Sequence, residues 1–200
     1  DIGEYTSDRQ LVLRYRGHDV ADLAMAFLHD GRPKRVRSSE YFPGHDASPQ
    51  WTQPADLGGA LRAILGAPNV CSREWIIRQY DHEVQGGSVL KPLQGVRESA
   101  PGDGVAFAPR LGSTRGLVLG CGINPMYGDL DAYRMALCAV DEAVRNVIAA
   151  GADPDTIALL DNYCWGNTKR PETLGSLVEA SQGCHDAAVA FGTPFISGKD

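Results

Sequence analysis

The groups with the clearest chemical use stand at the ends of two apolar runs. Thr156-Ile157-Ala158-Leu159-Leu160 leads into Asp161, with Asn162 and Asn167 close behind, and Pro194-Phe195-Ile196-Ser197 leads into Gly198, Lys199 and Asp200. A carboxylate beside a flexible glycine backbone and a lysine suits phosphate groups carried with a divalent metal. Such groups act together only if the fold brings them to one place. The stretch between them, opened by Pro171 and closed by Gly192, reads as a long helix with Leu174, Leu177, Val178, Cys184, Ala188 and Phe191 on its apolar face. Strand, helix, strand is a crossover unit; built right-handed, it lays both strands parallel with their ends on one edge. That edge is where open α/β sheets bind ligands.

Other candidates are weaker. Arg78-Gln79-Tyr80-Asp81 joins a helix to a strand, and Asp81 could hold a metal or ribose, yet a Tyr-Asp pair at a strand start more often caps or turns. Pro101-Gly102-Asp103-Gly104 is an ordinary turn sequence. In Cys184-His185-Asp186, neighbouring helix residues point about 100° apart, which argues against a convergent catalytic set. Cys164, Cys184 and His185 match no zinc spacing, and His18, His29, His45 and His82 are scattered. Neither a Walker-type loop nor a G-x-G-x-x-G fingerprint occurs, so a nucleotide site here must be of another kind.

The elements that would carry these groups follow from periodicity. Residues 11–23 read as a hairpin turning at Gly17, and residues 32–54, rich in Pro, Ser, Gly and Arg, read as a linker. Leu57, Leu61 and Leu65 predict a helix over 56–65, and Ser72 is placed to cap a short one through Ile77. Segments 80–90, 104–109 and 116–120 are strand-like and suggest a sheet of at least three strands. Over 132–150 Leu137, Val140, Val144, Val147 and Ile148 fall on one face before Gly151, which predicts an amphipathic helix. The expected organisation is a hairpin tail and linker over 1–54 and an α/β domain over 55–200, which the resemblance given below implies to be nucleotide-binding.

With 200 residues, 43% of them hydrophobic, the chain can bury the core of one α/β domain and an appendage. A net charge of -6 argues against a nucleic-acid partner, which would need a positive footprint. The one basic run, Arg32 to Arg37, is broken by Pro33 and reads as a solvated linker. Five cysteines without a C-x-x-C pair, and no apolar stretch of about 20 residues, point to reduced thiols in a cytoplasmic protein that does not cross a membrane. The chain starts without methionine and stops just after an apolar run, as an internal piece of a longer protein would.

Several of these segments together carry a resemblance. They are Arg73 to Asp81 with Val84-Gln85-Gly86, Gly122-Ile123-Asn124-Pro125-Met126-Tyr127, Asp141 to Asn146 leading to Gly151-Ala152-Asp153-Pro154, Asp161 to Asn167, and Gly192 to Asp200. In order and spacing over about residues 55–200 the chain resembles the phosphoribosylformylglycinamidine synthase family, in its large or synthetase part. That part is a duplicated pair of modules, and the chain resembles the N-terminal domain of the second. The resemblance implies the aminoimidazole ribonucleotide synthetase N-terminal-domain fold: a mixed α/β sheet with helices on one face, its sheet pairing with another into a barrel-like dimer interface.

The resemblance also implies a reaction. ATP activates the formamide oxygen of formylglycinamide ribonucleotide, and ammonia from glutamine, released by a separate glutaminase, displaces phosphate to give the amidine. Mg2+ neutralises the phosphates. Carried over position by position, Asp161 and Gly198 match ATP contacts. Lys199 stands where small-type members hold a magnesium-binding asparagine; an ammonium has no lone pair for a metal, so Lys199 is expected on phosphate and Asp200 on the metal. The family's catalytic histidines belong to the first module and have no counterpart here, so the chain alone is expected to be inactive. A related synthetase or kinase of the same superfamily, or a structural dimerisation module, are the alternatives; a lone copy could form a homodimer.

Overall fold

The computed structural model describes residues 2–44, 50–79 and 83–199. Asp81, His82 and Asp200, all singled out above, lie outside the described residues. The chain forms two compact units, 1–38 and 39–200.

In the first unit β1 (Gln10–Tyr15) and β2 (His18–Ala24) pair antiparallel. The two-residue turn Arg16-Gly17 has positive φ at both positions, 51° and 80°, the geometry that matches strand twist in tight hairpins. A short helix α1 (Met25–Asp30), not anticipated from the sequence, follows directly.

The second unit opens with α2 (Leu57–Gly66), capped by the Asp56 carboxylate on the Gly59 amide at 2.9 Å, and α3 (Glu74–Ile77). Ser72 does not occupy the cap position of α3, which is Arg73, although its hydroxyl still accepts from the Glu74 amide at 3.4 Å. Then come β3 (Ser88–Leu90), β4 (Leu93–Gln94), β5 (Ala100–Pro101), β6 (Gly104–Phe107), β7 (Leu117–Gly120), α4 (Ala132–Ala149), β8 (Leu159–Asn162), α5 (Pro171–Phe191) and β9 (Phe195–Lys199). The predicted strand over 156–160 begins three residues later, because Pro154–Thr156 closes a 3-10 turn capped by Asp153.

The strands form several small sheets rather than one mixed sheet: β3-β6-β7 antiparallel, β4-β5, and β8-β9 parallel. Period-two alternation sorts the faces of the three-stranded sheet. Toward α4 it presents Gly104 and Gly120, where a Cβ would meet Ala150 at 2.9 Å and the Val147 amide at 2.5 Å; the missing side chains let the helix backbone approach. The opposite face carries Val105 and Phe107, half-buried, opposite Leu119 and Leu117, which are 52% and 56% exposed.

Small residues also set the seam between α4 and α5. Ala132, Ala136, Ala180, Gly183 and Ala187 are buried, and a Cβ on Gly183 would collide with the Tyr133 carbonyl. The large residues expected to form the buried face of α5 sit at its margin: Val178 and Phe191 are exposed, because only a stripe of small side chains permits so close a crossing. Val140, Val144, Leu159 and Ala187 form the core beneath, with Leu137, Ile157 and Phe195 against it. Gly192, with φ of 69°, ends α5 in the left-handed cap that favours glycine, and the Thr193 amide returns to the Ala188 carbonyl at 3.0 Å.

Two features tie irregular chain to this frame. Glu40 to Gly44 strap across the helix starts: the Glu40 amide donates to the Pro171 carbonyl (3.0 Å), the Ala132 amide to the Tyr41 hydroxyl (3.1 Å), and the Gly44 amide to the Leu130 carbonyl (2.9 Å). On α4, the Glu142 carboxylate accepts from the Ile123 amide (3.0 Å) and the Asn124 side chain (2.8 Å), while Asn146 donates to the Cys121 carbonyl (2.8 Å). The segments around Gly122 and Asp141 that carry the family resemblance are therefore two halves of one anchor.

Candidate functional site

The parallel ladder places Asp161 opposite Gly198 and Asn162 opposite Lys199, so the strand ends singled out from the sequence meet at one edge. A bulge between Leu159 and Leu160 sets this register. Across it the Asp161 carboxylate lies against the Gly198 backbone: a Cβ built on Gly198 would fall on that carboxylate, with Asp161 Cγ and Oδ2 each 2.5 Å away. Asp161 is half-buried, and its carboxylate makes no hydrogen bond or ion pair among the described residues. Gly198 and Lys199 are exposed. Asn167 turns away from this edge, its carboxamide capping the Lys169 amide at 3.0 Å.

From Asp161 an open groove of about 670 Å³ runs along α5, lined by Tyr163, Ser181, Cys184, His185, Val189 and Phe195 among others. Burial holds the Tyr163 phenol protonated, pushed up to about 12, with its hydrogen bond to Cys184 adding to the shift. Burial likewise raises the Cys184 thiol. Both stay neutral at pH 7, which leaves Asp161 as the carboxylate lining the groove. Thr193 also lines the groove; it is 2% exposed, and its hydroxyl has no hydrogen-bond partner among the described residues.

The run Cys184-His185-Asp186 divides its tasks. His185 Nδ1 and Asp186 Oδ1 are 2.8 Å apart, and Asp186 also accepts from Tyr133 (2.9 Å) and Gln182 (2.8 Å), locking α4 to α5. Those partners, His185 first, hold the Asp186 carboxyl below the usual range, and the same bond raises Tyr133. Cys184 turns instead to Tyr163, so no nucleophile is assembled. All five cysteines are free thiols.

Sequence reasoning passed over the aromatic pair behind Asp161. The rings of Tyr163 and Trp165 lie 5.9 Å apart between centroids, tilted by 51°, and pack against Ala132, Ala136 and Ala180. The Trp165 indole N–H donates to the Thr173 carbonyl (3.2 Å) and the Ser176 hydroxyl (3.1 Å) at the start of α5. The available signal was two aromatics at i and i+2 in an otherwise polar connection, where nothing but burial would favour them.

Of the residues expected near the metal, Lys199 is described and Asp200 lies outside the described residues. Among the described residues no cluster of three His, Cys, Asp or Glu side chains could cage a cation. A lone carboxylate at the strand edge fits Mg2+ that arrives on phosphate, since that ion keeps its waters and takes only one or two protein carboxylates.

The fold that carries these groups has relatives among known proteins. Residues 102–199, from β6 to β9, match the family model for AIR synthase related protein, N-terminal domain. Over that segment the chain resembles the AIR synthase related family. The chain is also similar to phosphoribosylformylglycinamidine synthase subunit PurL: 35% identical over 198 residues to that of Methanocaldococcus jannaschii, and 34% over 197 residues to that of Thermococcus gammatolerans. Each match covers 98% of this chain and 26% of the relative, so the chain spans about a quarter of the curated relatives' length. Among solved structures, Thermotoga maritima PurL complexed with ADP superposes with a TM-score of 0.59 at 22% identity, covering 96% of this chain and 28% of that one. That likeness supports the α/β fold of helices and small sheets described above.

Proposed function

We propose that the chain is a nucleotide-binding domain of the ATP-dependent ligase that makes formylglycinamidine ribonucleotide in purine biosynthesis. The observation that carries the reading is the register that sets Asp161, whose carboxylate has no partner among the described residues, opposite Gly198 at the ends of two parallel strands, in a sequence similar to PurL. Structures of Thermotoga maritima PurL were obtained with ADP and with ATP. In this reading Gly198 lets the main chain lie against the nucleotide, Lys199 pairs with phosphate oxygens, and Asp161, with Asp200, takes Mg2+ carried by the phosphates. ATP supplies the leaving phosphate that activates the formamide oxygen. The histidine chemistry, formylglycinamide ribonucleotide and the glutaminase are assigned to other domains and subunits of a cytoplasmic enzyme, so this domain alone turns nothing over.

The nucleotide-binding part is read as the segment from residue 55 onward, with residues 1–54 as hairpin tail and a linker whose Glu40 to Gly44 are strapped onto the domain. The apolar outer face of the β3-β6-β7 sheet, built on Leu117 and Leu119, is proposed to pair with a like sheet in a barrel-like interface, either of another module or of a second copy.

Isothermal titration of the chain with ATP and Mg2+, beside Asp161→Asn, tests the site. Saturable binding that weakens about tenfold or more in the variant supports it. Binding that is absent, or unchanged by the substitution, sinks it.

A further inference from the structure

We propose that Tyr163 and Trp165 are positioning residues for Asp161, an inference that rests on the nucleotide-site reading above. Beyond Asn162 the chain leaves the ladder, and nothing regular holds it until Pro171. The Tyr163 amide makes one further bond to the Lys199 carbonyl at 3.0 Å, across the site edge. Its side chain and that of Trp165, two residues on, both turn into the α4–α5 seam. The indole N–H is held by two acceptors on the first turns of α5, and the Ser176 hydroxyl that receives it is itself bonded to the Thr173 carbonyl at 2.9 Å. The strand end carrying Asp161 is thus fixed on one side by the ladder and on the other by this pair. The Asp161 carboxylate has no hydrogen-bonded partner among the described residues, so its direction is set by the backbone the clamp holds.

Trp165→Phe keeps an aromatic ring in the seam and removes both indole bonds, while Ser176 retains its bond to Thr173. Amide exchange at Tyr163 and Cys164 should quicken by about tenfold or more, with the buried turns of α4 and α5 unchanged. ATP affinity should fall about tenfold, and the same substitution made on Asp161→Asn should cost nothing further. Unchanged exchange at Tyr163, or an equal loss of affinity in both backgrounds, overturns the proposal. A wild-type chain that binds no nucleotide overturns the reading of the site, and the exchange comparison still decides whether the clamp holds the strand end.

Discussion

The Asp161 carboxylate fills the space that a side chain on Gly198 would need, across the parallel register that pairs the two residues. A methyl group at position 198 must therefore turn the carboxylate away, which a terminal group on a half-exposed side chain can do at small cost. Gly198→Ala should lower ATP affinity about tenfold while shifting the thermal midpoint by no more than about 2 °C. Titration calorimetry beside a melting curve separates the two effects.

The crossing of α4 and α5 is less forgiving. Gly183 abuts the Tyr133 carbonyl and lies 3.0 Å, from its built Cβ, to that of Ala136. Gly183→Leu has nowhere to place its side chain without parting the helices, and should cost about 1–3 kcal/mol in urea unfolding.

The Glu142 anchor predicts a graded pair. Glu142→Ala leaves the Ile123 amide and the Asn124 side chain without their acceptor and should cost about 1–2 kcal/mol. Glu142→Gln, which keeps an acceptor oxygen, should recover about half of that loss in the same unfolding measurement.

Tyr163 should mark the alkaline limit of stability. Its phenol titrates near 10 when unfolded and is pushed up to about 12 when folded. The folded state thus favours the protonated form; the stability this contributes is fully present below about pH 10 and is lost as pH rises toward 12. Tyr133, raised by its bond to Asp186, adds a loss of the same sign. Urea unfolding between pH 9 and 12 should show a shallower decline in Tyr163→Phe than in the wild type.

If the outer sheet face is an interface, Leu119→Lys should leave the fold intact and abolish self-association. Sedimentation of the wild type and the variant at matched concentration reads this directly; identical behaviour removes the interface.

Periodicity revealed the long elements because α4 and α5 bury one stripe each, and the parallel pairing of β8 with β9 followed from the crossover alone. Burial on α5 was harder to read. The hydrophobic scale favours Val178 and Phe191, whereas close packing selects Gly175, Ala180 and Gly183, and size is invisible to a polarity pattern. Short strands β4 and β5, two residues each, carry no period at all. At the site, Asp161 and Gly198 were legible as polar stops after apolar runs. Their mutual contact was not, since it depends on a bulge between Leu159 and Leu160 that shifts the register. The clamp of Tyr163 and Trp165 escaped for a related reason: its acceptors lie on another element.

The strap from Glu40 to Gly44 has a practical consequence for anyone shortening this chain. The acceptor for the first amide of α4 is the hydroxyl of Tyr41, 91 positions upstream, and the same residue packs over Ala132, which is 1% exposed. A piece begun at the first predicted helix would keep the Asp131 cap on the Arg134 amide but lose both the acceptor of the Ala132 amide and the ring that covers it. The shortest piece that keeps its own stoppers in place begins no later than Ser39.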